Sequence, residues 1–173
     1  PLVAVTSSFS YIEALSVPSA NVSLFHNHRV DVCASQTSLP ISVMLQEINR
    51  DFAKFEESDI EVIAVSADDM ALSHRLSRRL GLIFPIACGL TEDDMRRMGL
   101  YVSDPEHYIN QTHKFAEPAH FLLNPDNTIR YISLSSNPMS ASLNVIPFLM
   151  GHKFVLARGQ SDPDFAKVTW GSA

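Results

Sequence analysis

The sequence predicts an α/β fold organised around a parallel β-α-β unit. Three observations carry that expectation. Residues 29–34 alternate Val30, Val32 and Ala34 with polar neighbours, the period-two pattern of a strand. Residues 43–55 place apolar side chains at positions 44, 45, 48, 52 and 55, the one-faced spacing of an amphipathic helix. Glu47, Arg50, Asp51 and Lys54 fall on its other face. Residues 60–66 then run almost continuously apolar, as does a strand covered on both faces.

The remaining elements follow in order. Residues 8–20 are irregular in period, residues 21–25 read as a short strand, and His26-Asn27-His28 reads as a turn. Pro40 precedes the helix over 43–55, where a proline suits a helix start. After the strand over 60–66, Ser66-Ala67-Asp68-Asp69 caps a helix that reaches Leu80. Leu72, Leu76 and Leu80 face inward there, Arg75, Arg78 and Arg79 face outward, and Gly81 stops the helix. Residues 82–87 are strand-like. Thr91-Glu92-Asp93-Asp94 opens a short helix to Met98 that Gly99 ends. Residues 104–114 form a polar loop. Residues 119–123 and 128–134 make a hairpin around Asn124-Pro125-Asp126-Asn127. Ser140 or Ser142 caps a last helix reaching Leu156, with Pro147 in an early turn, and the tail from Arg158 packs loosely. No repeat or linker interrupts the chain, so residues 1–173 are expected to form one domain.

Composition narrows the function classes. Hydrophobic residues make up 46 % and charged residues 18 %, an ordinary balance for a globular protein. A net charge of −6 argues against general nucleic-acid binding, which needs basic patches. No apolar run approaches the roughly 20 residues of a membrane span. Pro1-Leu2-Val3-Ala4-Val5 lacks the basic region and long apolar core of a secretion signal. The two cysteines, Cys33 and Cys88, are too few for a disulfide scaffold and form no CxxC pair. A reduced, cytoplasmic protein without cofactor is therefore expected. His26, His28, His107, His113 and His120 match no ligand spacing and read as surface residues, so no metal is expected.

The chemistry concentrates in Ser38-Leu39-Pro40-Ile41-Ser42, between the strand over 29–34 and the following helix. A helix N-terminus at such a turn stabilises a thiolate through its partial positive charge and free N–H groups. This turn carries hydroxyls and a proline instead, and a serine at a helix start is first of all an N-cap. A serine hydrolase would need a base and an acid around it, with His120 as the one candidate base. Cys33, in Asp31-Val32-Cys33-Ala34-Ser35, reads as a small hydrophobe on the strand, with catalysis as its alternative role.

The order strand, strand, helix, strand, helix, strand, short helix, hairpin, helix resembles the peroxiredoxin branch of the thioredoxin superfamily. Within it the chain is similar to thiol peroxidases of the alkyl hydroperoxide reductase and thiol-specific antioxidant type. The likeness spans residues 21 to 153. It rests on Val22-Ser23-Leu24, on Val62-Ile63-Ala64-Val65-Ser66-Ala67-Asp68, on Arg79-Leu80-Gly81-Leu82-Ile83-Phe84-Pro85-Ile86, on Met98-Gly99-Leu100, and on the stretch from Phe121 to Tyr131 with Asn124-Pro125-Asp126-Asn127 inside it.

The resemblance implies a thioredoxin-like fold with a central mixed sheet flanked by helices. It implies a hydroperoxide substrate, a thioredoxin-type reductant and a homodimer paired through Leu39, Ile41 and the loop over 101–115. The family's nucleophile is a cysteine in a Pro-x-x-x-Thr-x-x-Cys turn, which attacks peroxide and becomes a sulfenic acid. One register puts Ser42 at that cysteine, Leu39 at the threonine and Ser35 at the proline. A second register puts Ser38 there. The family's arginine matches Pro118, and Glu117-Pro118 matches the place of a cis-proline facing the active site. The expected site is thus Ser42, Ser38 and Cys33, in a cleft with Leu39, Pro40, Glu117 and Pro118. The expected activity is an impaired or absent thiol peroxidase. The alternative is a non-catalytic binding module using the same cleft.

Overall fold

The structure, a computed structural model, describes residues 27–33, 39–105, 112–140, 143–162 and 164–165. The expected strand over 21–25, the irregular segment over 8–20, His26 and His107 lie outside the described residues. The chain divides into two compact units, Pro1–Ser142 and Leu143–Ala173.

The first unit opens with β1 (His28–Cys33), followed by α1 (Leu39–Arg50), α2 (Phe52–Glu56) and β2 (Ile60–Ser66). Then come α3 (Met70–Leu80), β3 (Ile86–Cys88), α4 (Glu92–Arg97), β4 (Val102–Ser103), β5 (Phe115–Ala116), β6 (Ala119–Leu123) and β7 (Ile129–Leu134). Five strands form one mixed sheet in the order β3-β2-β1-β6-β7. β1 runs parallel to β2 and antiparallel to β6, and among the described residues β7 pairs with β6 alone. β4 and β5 form a separate two-stranded pair.

Register decides which residues share a face. Val30 stands between Val62 and Leu122, and Val32 between Ala64 and His120. α1 covers this face, because its Met44 meets His120. Ile41, Met44, Leu45 and Ile48 are its buried stripe, spaced as the sequence requires. The opposite face carries Ile63, Val65, Phe121 and Leu123, packed with Met95 of α4 and with Met98. The sheet is therefore a thioredoxin-like layer with helices on both faces, and nearly every β2 side chain is buried.

Several boundaries differ from the sequence reading. The helix begins at Leu39 rather than residue 43, so Pro40 lies in its first turn, where the missing N–H is no loss. It breaks at Asp51, whose carboxylate is held by Arg50 at 2.7 Å and Lys54 at 2.6 Å, before α2 resumes. Asp69 is the residue that caps α3, accepting from the Leu72 N–H at 2.8 Å, and Gly81 ends it at φ 62°. β3 is shorter than residues 82–87, because Pro85 has no N–H to give and offers only its carbonyl, to Ala64. In the hairpin turn, Asn127 takes φ 63° and Asp126 accepts from the Thr128 N–H.

In the second unit the last helix, α5, is Val145–Ser161, with Asn144 at the N-cap position. Ser140 ends a 3-10 turn, Pro138–Ser140, instead of capping a helix, and Ser142 lies outside the described residues. Helical structure continues past Leu156 to Ser161, five residues beyond the end the sequence suggests.

Candidate active site at the carboxyl end of β1

The candidate residues gather at one end of the sheet. Cys33 is the last residue of β1, and its Cα pairs with Val65 and Ala119. Pro118 directly precedes Ala119, so the end of β1 and Pro118 share one edge. Leu39 and Pro40 open α1 and Ser42 is its fourth residue, in the first turn. Ser38 lies outside the described residues.

The first turn of α1 splits its residues between two flanks. On one flank the half-buried Ser42 accepts a hydrogen bond from Arg79 Nη2 of α3 at 3.3 Å. Asn49 lies two turns further on the same side, bonded to the Gly81 carbonyl at 3.1 Å and to the Ile83 N–H at 2.8 Å. On the other flank Met44 Sδ lies 3.2 Å from His120 Nε2 of β6. Pro40 is four residues before Met44, and residues at that spacing share a helix face. Pro40 is thus the first-turn residue on the β6 flank, the side that Pro118 enters, whereas the Ser42 hydroxyl is turned to α3.

Two acidic groups sit at this edge. Glu117 is buried, and its Oε1 accepts from Ser103 Oγ of β4 at 2.6 Å, while its N–H donates to the Tyr101 carbonyl. Asp68, at 1 % exposure, accepts from Ser66 Oγ at 2.8 Å and lies 3.4 Å from His113 Nε2. Lys114 bonds Glu92 of α4 at 3.0 Å, so His113 and Lys114 tie the strand leading to Pro118 to two neighbouring elements.

Three expectations are corrected. The 117–118 peptide is trans, as are all described peptides; β5 runs in extended form into β6 and needs no tight turn at Pro118. Ile41 is core at 2 % exposure, because its place on the α1 stripe turns it to the sheet, so it supplies no exposed interface. His120 is buried rather than on the surface, and burial pushes its imidazole down to about 4. Its Nε2 lies against Met44 Sδ, and no serine hydroxyl among the described residues bonds it. Cys88 ends β3 and is buried; that burial, then Asp69, pushes its thiol up, away from the reactive thiolate range. Among the described residues no group of three His, Cys, Asp or Glu could hold a metal ion.

Arg79, Asp68 with His113, and Glu117 with Ser103 add polar contacts that periodicity does not display. Each depends on how separate elements pack. The sequence marked Glu117 as a cleft residue and Arg79 as an outward residue of its helix, but gave neither its partner.

The fold agrees with the comparisons. The model of the AhpC/TSA family matches residues 32–132, more than half of the chain. The protein belongs to that family, the peroxiredoxin branch of the thioredoxin superfamily. A structure of AhpC from Enterococcus faecalis superposes with a TM-score of 0.62 at 17% identity, covering 79% of this chain and 80% of that one. A cysteine-to-serine mutant of peroxiredoxin 6 from Arenicola marina gives 0.60 at 19% identity, over 78% of this chain and 64% of that chain. The protein therefore spans less than two thirds of that relative's length. AhpC from Mycobacterium tuberculosis gives 0.59 at 18% identity, over 76% and 75%. These likenesses establish the fold. No curated protein matches the sequence.

Proposed function

We propose that the chain is a thiol-peroxidase-type antioxidant protein by descent, with serine at the peroxidatic position, so that peroxide reduction is impaired or absent. Ser42 takes that position in one register and Ser38 in the other. The observation that carries the reading is the first turn of α1, Leu39-Pro40-Ile41-Ser42, which contains no cysteine. A serine hydroxyl is not ionised at neutral pH and cannot enter the sulfenic state. Pro118 offers no guanidinium to orient a peroxide. Cys88 is buried with a raised pKa, which leaves Cys33 as the remaining candidate nucleophile.

The substrate class is a hydroperoxide and the reductant is of the thioredoxin type, in the cytoplasm. A second reading, a non-catalytic binding module in the cleft of Leu39, Pro40, Glu117 and Pro118, is favoured by one contact. The Ser42 hydroxyl is engaged by Arg79 on the α3 flank, leaving Pro40 to face the β6 side. We also propose a homodimer, through β7 rather than Ile41. β7 has one neighbour among the described residues and exposes Tyr131, Ile132 and Leu134. Free strand edges of that kind pair readily.

A steady-state assay of hydroperoxide consumption with a thioredoxin-type reductant tests the reading. Turnover at or near the uncatalysed rate is expected. Sustained turnover would overturn it.

A further inference from the structure

At the other end of the sheet, the start of β1, the end of β6 and the start of β7 bring His28, Asn124 and Arg130 together. Arg130 is half-buried, and its Nη1 is buried without an acceptor. Among the described residues its guanidinium has no hydrogen bond and no ion pair. A buried donor left without an acceptor is rare in native proteins, and a water or an ion ordinarily accounts for one. Beside it stands His28, whose ring is hydrogen-bonded to Asn124.

We propose that Arg130 and His28 form a binding site for a small oxyanion of the phosphate or carboxylate class. The guanidinium fork fits such an anion through paired N–H donors. A ring N–H of His28 adds a second donor. The acidic group facing the site is Asp59, exposed and held at φ 52° beside His28. Arg29, one residue along β1, is fully buried and has a contact of its own, as does the neighbouring Glu61. An anion would neutralise the repulsion between Arg130 and His28. Burial and Arg130 now hold the His28 imidazole below its ordinary value, so a bound anion should raise it.

Inorganic phosphate titrated into the full chain tests this, with the His28 ring followed by NMR and sodium chloride at matched ionic strength as the control. A saturable change in the His28 signal is expected with phosphate but not chloride, together with an upward move of its titration midpoint. Arg130→Gln should weaken that binding by about tenfold or more, the loss of a charge-assisted pair. Arg130→Lys, which keeps the charge without the fork, should bind at an intermediate level and serves if the first variant does not fold. An unsaturating or chloride-like response would overturn the site, as would equal phosphate affinity in a folded Arg130 variant. Either result would assign the Arg130 partner to water.

Discussion

His120 carries the largest chemical consequence of a single position. It is neutral at pH 7, buried between β6 and Met44 of α1, with its pKa depressed from 6.5 to about 4 by burial. A depressed histidine pKa means that the unfolded chain binds the proton more readily. Stability should therefore be independent of His120 above pH 6.5 and fall as the pH drops from there toward 4. The slope approaches ~1.4 kcal/mol per pH unit within that window. Urea denaturation at pH 7.5 and pH 5 measures it, and His120→Leu should flatten this contribution. Arg79 is the opposite case: its bond to Ser42 is exposed, so Arg79→Ala should change stability by less than ~1 kcal/mol in the same assay. Neither role was legible in sequence. In Ala119-His120-Phe121-Leu122-Leu123 both faces of the strand are covered, so alternation gives no inside and no outside. Only the pairing of His120 with Val32 turns it toward α1.

At the level of elements, the strongly periodic pieces were readable because their burial is one-sided or continuous. The α1 stripe and the apolar run of β2 follow the sequence closely, as does the hairpin from Asn124 to Asn127. What periodicity could not locate were ends and short pairs. The start of α1 at Leu39 depends on Pro40 fitting a first turn, and the break at Asp51 depends on two cations closing on one carboxylate. β4 and β5 are two residues each, too short to alternate visibly, yet they deliver Glu117 and Pro118 to the site. Two substitutions test this anatomy. Ile48→Ala, at the centre of the α1 stripe, should cost about 2–5 kcal/mol by urea denaturation, from lost burial and a residual cavity. Asp69→Ala should cost ~1 kcal/mol by removing the α3 cap.

For the molecule as a whole, family and fold were legible because several moderate motifs occur in the right order along the chain. The candidate site was legible only in outline. The resemblance points to the turn that carries Ser38 and Ser42, but which flank of α1 faces β6 follows from packing. No helix among the described residues is long and apolar enough to cross a membrane. If β7 is the dimer edge, sedimentation at micromolar concentration should give a species of twice 19.2 kDa, and Ile132→Asp should return it to the monomer. A single monomeric species of the unaltered chain would remove the dimer. If serine at the peroxidatic position has ended peroxide chemistry there, rapid mixing of the fully reduced chain with excess hydroperoxide, without reductant, should give no burst of peroxide loss. Trapping and mass spectrometry should find no fast sulfenic acid. A burst of about one peroxide per chain, abolished by Cys33→Ser, would contradict this reading and return Cys33 to the role of nucleophile.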